Sequence, residues 1–257
     1  MKKRGQVTLF IILGMILVIL LFLGVYYKDE IFSLVGLSEN IFYPSEVEKV
    51  KNSLDDCFLT TAKSNVFDLG YQGGYYNLPR ESYKTGFLNV PYFLSYGDVL
   101  LVDSQKFNDE LALAFENTYE NCLDFNGLNV TSGNLDVDVL ISENIISYSV
   151  NFPVKINFEN NVYDLYKPYV FDLEIPFGYV YSAVSEFVES SQEDYIDIDS
   201  LLDKDFDSVD YFSPVDETYV FFILKETELG NYTYAFAMQY NFGVEPQVYQ
   251  YYGDGFL

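Results

Sequence analysis

The stretch Ile146-Ser147-Tyr148-Ser149-Val150-Asn151-Phe152-Pro153-Val154-Lys155-Ile156-Asn157 decides the fold class. Apolar side chains take every second position from Ile146 to Ile156, and Ser147, Ser149, Asn151, Pro153, Lys155 and Asn157 take the others. Successive side chains of a strand point to opposite faces, so this alternation predicts one half-buried strand with a wet outer face. Upstream, Val137, Val139 and Ile141 alternate over 136–141, and Ser142-Glu143-Asn144 turns the chain. Downstream, Glu159-Asn160-Asn161 is the next turn, and Tyr169, Phe171, Leu173 and Ile175 form the inner face of another strand. Strands joined by short turns predict an antiparallel meander.

Further along, Pro176 opens a helix where its missing N–H costs nothing. Phe177, Val180, Val184, Phe187 and Val188 form its apolar stripe, which should lie across the sheet. A hairpin follows: Tyr219–Leu224, the turn Glu228-Leu229-Gly230-Asn231, and Tyr232–Phe242. On its second strand Tyr232, Tyr234, Phe236, Met238, Tyr240 and Phe242 share a face opposite Thr233, Ala235, Ala237, Gln239 and Asn241. The segment 248–257 is short, aromatic and broken by glycines, and is expected to be loosely held.

Before the sheet, two helices are predicted. The first starts at Ser45, with Glu48 completing a capping box, and stops at Gly70. Val47, Val50, Leu54, Cys57, Phe58 and Thr61 line one side of it. The second runs from about Ser104 to Asp124, with Phe107, Leu111, Ala114, Phe115, Thr118 and Cys122 in one stripe. The expected architecture is α+β: two cysteine-bearing helices, an antiparallel sheet of about five strands and a further packed helix.

The N-terminal segment has a different character. Lys2, Lys3 and Arg4 precede an uncharged stretch from Gln6 to Tyr27, long enough to cross a bilayer as one helix. The cations sit before the span and Lys28-Asp29-Glu30 after it, so the positive-inside rule puts the N-terminus in the cytoplasm and residues 28–257 outside the cell. A cleaved secretory signal is the competing reading. The apolar run is too long for one and ends in Val25-Tyr26-Tyr27, not in small residues. The expected organisation is an anchor over 1–27 with residues 7–27 in the lipid bilayer, a linker over 28–44, an extracytoplasmic domain over 45–247 and a tail over 248–257.

Lys3-Arg4-Gly5-Gln6-Val7-Thr8-Leu9-Phe10 resembles the class III signal of archaeal pilin-like proteins. The resemblance implies cleavage between Gly5 and Gln6 with the apolar helix left attached. Many polymerising members carry Glu at the fifth mature position, and Phe10 stands there in this chain. The outer part is similar to a group of uncharacterised archaeal membrane-anchored proteins, through Asp56-Cys57-Phe58, Gln72-Gly73-Gly74-Tyr75-Tyr76 and Asn121-Cys122-Leu123. That resemblance transfers no activity.

Composition narrows the function classes. The net charge of −25 repels nucleic acid and anionic headgroups. The chain has no His, which removes Ser-His-Asp and Cys-His catalysis and most zinc sites. It has no Trp but 25 Tyr and 23 Phe, so these rings must do most of the core packing.

A disulfide between Cys57 and Cys122 is expected from an exterior location, with two free buried thiols as the alternative. Gln72, Gly73, Gly74, Tyr75 and Tyr76 read either as a ligand-cradling loop or as a turn packed over neighbouring helices. Asp203, Asp205 and Asp207 begin like a calcium loop, but Ser208 replaces the required Gly and Pro214 the bidentate Glu. Asn129-Val130-Thr131 and Asn231-Tyr232-Thr233 are glycosylation sequons expected in loops or turns. No cofactor is expected. The function read from these features is a non-enzymatic surface protein that meets an envelope protein or a glycan. A pilin-like filament subunit and a carboxylate-dependent extracellular hydrolase are the alternatives.

Overall fold

A computed structural model describes residues 43–240, apart from Phe87, Asp124, 126–128 and 192–194, together with 247–248. The expected membrane segment 7–27, the processing pair Gly5 and Gln6, and residues 28–42 and 249–257 lie outside the described residues. The chain divides into two units, Met1–Pro44 and Ser45–Leu257. Among the described residues no helix is long and apolar enough to cross a membrane. The second unit mixes helices and sheets, as its alternating periodicities predict.

Helix α1 runs Ser45–Gly70 and buries Val47, Val50, Leu54, Phe58, Ala62, Val66 and Leu69 on one side. Ser45 is its first residue, and its hydroxyl donates to the Glu46 carboxylate at 2.8 Å, which is not the expected capping box. This bond holds the Glu46 carboxyl below its ordinary range. Helix α2 spans Ser104–Thr118, with the Asp103 carboxylate accepting from the Gln105 amide as its N-cap. It ends earlier than expected. The Thr118 hydroxyl bonds back to the carbonyls of Ala114 and Phe115, and the chain tightens into a 3-10 turn, Tyr119–Cys122. Helix α3, Phe177–Ser190, buries the whole expected stripe.

Strands β1 (Ser82–Lys84), β2 (Asn89–Ser95) and β3 (Asp98–Val99) precede α2. Strands β4 (Asn129–Ser132), β5 (Asp136–Ile141), β6 (Ile146–Asn151), β7 (Val154–Phe158), β8 (Asn161–Leu165) and β9 (Tyr169–Leu173) lie between α2 and α3. After α3 come β10 (Tyr195–Ile196), the short helix α4 (Asp199–Leu202), β11 (Ser208–Val215), β12 (Thr218–Thr227), β13 (Gly230–Gln239) and β14 (Gln247–Val248).

The expected antiparallel order is present as the sheet β5-β6-β9, and a second three-stranded sheet, β4-β7-β8, accompanies it. The long alternating stretch is two strands. Pro153 has no N–H to continue the ladder, so β6 ends at Asn151 and β7 starts in the other sheet at Val154. The hairpin β7–β8 is thereby inserted between β6 and its partner β9. Its turn is the expected one, with Glu159 and Asn160 both at positive φ.

The largest sheet has the order β1-β2-β13-β12-β11, with β3 on β2. It is not wholly antiparallel: β13 runs parallel to β2, pairing Leu94 with Met238 and Ser95 with Gln239. Being central, β13 is buried from Tyr232 to Met238 on both faces, and the face opposite its aromatic residues packs Ala235 and Ala237 with Val90 and Val220. The last hairpin turns at Glu228-Leu229, two residues before the predicted four-residue turn ends, with Gly230 and Asn231 already in β13. Val248, expected in a loose tail, lies in β14, parallel to β10.

The core is a mesh of rings. Phe58 on α1 meets Phe115 on α2, Phe152 and Tyr169 edge-on. Phe107 on α2 meets Phe177 and Tyr181 on α3, and Phe187 on α3 packs on Phe221 and Phe236 of the large sheet. Thus α3 does lie across a sheet, that of the last hairpin. The largest fully buried side chains are all Phe or Tyr, and such pairs add about 0.5–1.5 kcal/mol beyond area burial.

Candidate binding cleft

The glycine-dense loop leaves the end of α1 at Gly70, where an added Cβ would lie 2.4 Å from the Thr233 carbonyl oxygen. Gly73 and Gly74 follow at φ of 61° and 89°, backbone that L side chains rarely adopt. At Gly74 a Cβ would also come within 2.6 Å of the Phe107 ring. The loop is thus wedged between α1, α2, β2 and β13.

Three long-range contacts pin it. The Tyr234 hydroxyl donates to the Gly73 carbonyl at 2.9 Å. The Tyr75 ring is buried edge-on against Phe107, and burial pushes its phenol well above the ordinary range. Glu110 Oε2 accepts from the amides of Tyr76 and Asn77, both at 3.0 Å, while its Oε1 pairs with Lys106 Nζ at 2.7 Å. Hydrogen bonding to this carboxylate holds the Lys106 ammonium above its ordinary range. Glu110 is almost wholly buried, and both of its carboxylate oxygens have hydrogen-bonding partners.

Of the five loop residues singled out in the sequence, Gly73, Gly74 and Tyr75 therefore face inward and serve packing. Gln72 and Tyr76 line an open cleft of about 440 Å³ between the end of α1 and the start of β2. Sequence reasoning missed the residues that complete it: Asp68, Tyr71, Asn89, the Asn65–Thr118 pair, and Leu69 and Leu88 as its apolar wall. The Asn65 amide donates to the Thr118 hydroxyl at 2.9 Å, fixing the floor. Tyr71, the first residue after the helix, is 49% exposed. Its place just beyond Gly70 was the signal, since an aromatic there need not fold back on the stripe. The side chains of Gln72 and Asn89 have no hydrogen-bond partner among the described residues. Among the described residues no Lys or Arg lines the cleft.

The other candidates are placed apart from it. Cys57 and Cys122 form the disulfide, with Cα atoms 5.6 Å apart, joining α1 to the 3-10 turn. Asp205 and Asp207 both turn to Lys225, at 3.0 and 3.9 Å, and Asp207 also accepts from the Glu226 amide at 2.6 Å. Asp203 ends the short helix α4 and its backbone amide bonds to Asp199. The Asp205 and Asp207 carboxylates are thus aimed at a lysine. Among the described residues no group of His, Cys, Asp or Glu has the arrangement of a metal site. Asn129 and Asn231 are both exposed, but they stand on β4 and β13, not in loops. Gly230, at φ 128°, closes the hairpin early enough for Asn231 to pair with Glu226.

No family model, characterised protein or solved structure matches this chain.

Proposed function

We propose that this chain is a membrane-anchored archaeal surface protein whose outer domain acts by binding, through the cleft beside the 71–77 loop. Residues 7–27 would hold it in the bilayer with the N-terminus in the cytoplasm. The observation that carries the reading is the Cys57–Cys122 disulfide, because such bridges persist in oxidising exteriors and are rare in the cytosol. It joins the cation-flanked apolar stretch at the N-terminus in supporting an outside location. A binding role is supported by the cleft itself, whose lining offers amides, hydroxyls and an open tyrosine ring. Catalysis by a His-assisted nucleophile is unavailable to a chain without His.

The test is made on cells producing the full chain. Protease added to intact cells should remove the outer domain, and the membrane-retained chain should begin at Gln6. An outer domain protected in intact cells, together with two free thiols in the extracted protein, would overturn the proposal.

A further inference from the structure

We infer that the cleft takes a neutral carbohydrate chain, with one sugar ring lying on Tyr71 and its hydroxyls meeting Gln72, Asn89 and Asp68. The inference rests on the binding role proposed above and names the ligand class for that same site.

A phosphate, sulfate or uronate needs a cation or a set of converging N–H groups, and the cleft has no Lys or Arg among the described residues and holds the Asp68 carboxylate. The net charge of −25 opposes any polyanion further. Leu69 and Leu88 give the cleft some apolar wall, but a wholly apolar ligand that covered Gln72 and Asn89 would take their amides from water without giving them partners. A protein partner of ordinary size covers about 800 Å² per side, a broad patch and not a cleft between a helix end and a strand.

What remains is a ligand rich in uncharged donors and acceptors with an apolar face to lay on a ring. A pyranose has both, since its C–H groups project from one face and its hydroxyls ring the edge. Tyr71 offers a rigid ring of low ordering cost with an electron-rich face. Gln72 and Asn89 each carry a donor and an acceptor, and Asp68 adds acceptors only, which together match adjacent hydroxyls. The cleft floor is already ordered by Asn65–Thr118, by Tyr234–Gly73 and by Glu110, so binding need not fix the loop.

The experiment titrates the full chain, in a detergent without a sugar headgroup, with cellotetraose, mannotetraose and chitotetraose, using polygalacturonate as the anionic probe. At least one neutral tetrasaccharide should bind saturably. Tyr71→Ala should weaken it about tenfold, a loss within the range of one aromatic contact. Tyr71→Phe should retain the affinity, and Tyr96→Ala, an exposed tyrosine away from the cleft, should leave it unchanged. Unchanged thermal midpoints show that each variant is folded. Absence of binding by all three sugars, binding indifferent to Tyr71→Ala, or tighter binding of polygalacturonate overturns the inference. A Tyr71-dependent complex with an envelope protein, with no sugar bound, overturns it too while leaving the surface-binding role standing. Protease accessibility on intact cells reports on that role separately.

Discussion

Glu110 on α2 reaches the backbone amide of Tyr76 at 3.0 Å across a gap of 34 residues. The same oxygen holds the Asn77 amide, so one buried carboxylate sets the exit of the glycine loop and the wall of the cleft. Glu110→Ala removes both charge-assisted bonds and leaves Lys106 without its partner. The expected loss is about 2 kcal/mol of stability, measured by urea unfolding. Loop mobility by amide exchange should rise at Tyr76 and Asn77 first. A midpoint unchanged from the parent chain would show that the carboxylate does not hold the loop.

Two buried tyrosines should respond in opposite directions to loss of their hydroxyls. Tyr234 donates to Gly73, so Tyr234→Phe orphans a buried carbonyl and should cost about 1 kcal/mol. The Tyr148 hydroxyl is buried without a partner among the described residues, so Tyr148→Phe should be neutral or stabilising by up to about 1 kcal/mol. Chemical denaturation of the two variants side by side tests this, and an equal loss in both would contradict it.

The disulfide spans 65 residues of sequence. Closing a loop of that length restricts the unfolded chain by an amount worth about 4 kcal/mol in the chain-entropy treatment. A Cys57→Ala, Cys122→Ala double variant should lose stability of this order, and reductant should shift the denaturation midpoint of the parent chain but not of the variant. A parent midpoint insensitive to reductant under conditions that free both thiols would refute the prediction.

Alkaline pH should unfold the protein steeply. Burial raises the phenols of Tyr75, Tyr148, Tyr181, Tyr232, Tyr234 and Tyr240 above the ordinary range. The unfolded chain releases these protons near pH 10 and the folded chain keeps them. Their contribution is therefore fully present below about pH 10 and is lost as pH rises toward the folded-state values, at about 1.4 kcal/mol per pH unit for each group. Lys106 and Lys204, raised by Glu110 and Glu186, act with the same sign. Tyrosinate absorbance should rise together with loss of the folded circular-dichroism signal. Full ionisation of all tyrosines while that signal persists would contradict the reading.

The helices were legible because each buries one continuous stripe, and Phe107, Leu111 and Phe115 or Phe177, Val184 and Phe187 recur at the helical period. The strands were legible where one face is wet, as in β5 and β6. Alternation alone does not say which sheet a strand joins, which is why Phe152-Pro153 concealed a change of partner. Strand β2 was missed because Val90, Pro91, Phe93 and Leu94 are buried on both faces and show no period of two. Strand β11 was hidden among acids, since as an edge strand it leaves Asp210 and Phe212 exposed. The loop was legible as unusual, and its glycine density did mark close packing. Glu110 was not, being one of 39 acids. Its place beside Leu111, on the apolar side of α2, was the one signal that set it apart.

The position of β13 bears on how the chain must be made. Its ten residues lie near the end of the sequence, yet they sit between β2 and β12 in the middle of the largest sheet. As the chain emerges from its N-terminus, β1, β2 and β3 appear early and wait with one edge bare. Neither β12 nor anything else pairs with that edge until residues 230–239 have arrived. The earlier helices and the Cys57–Cys122 bridge can form in the meantime, but the sheet closes only once β13 is present. Folding is thus a late event governed by contacts distant in sequence, and such topologies close slowly. A chain stopped before Gly230 would have its helices, the two small sheets and the β11–β12 hairpin, but not the strand that joins β2 to β12. It would also present the β2 edge, with Phe93 and Leu94 uncovered, to whatever it next met.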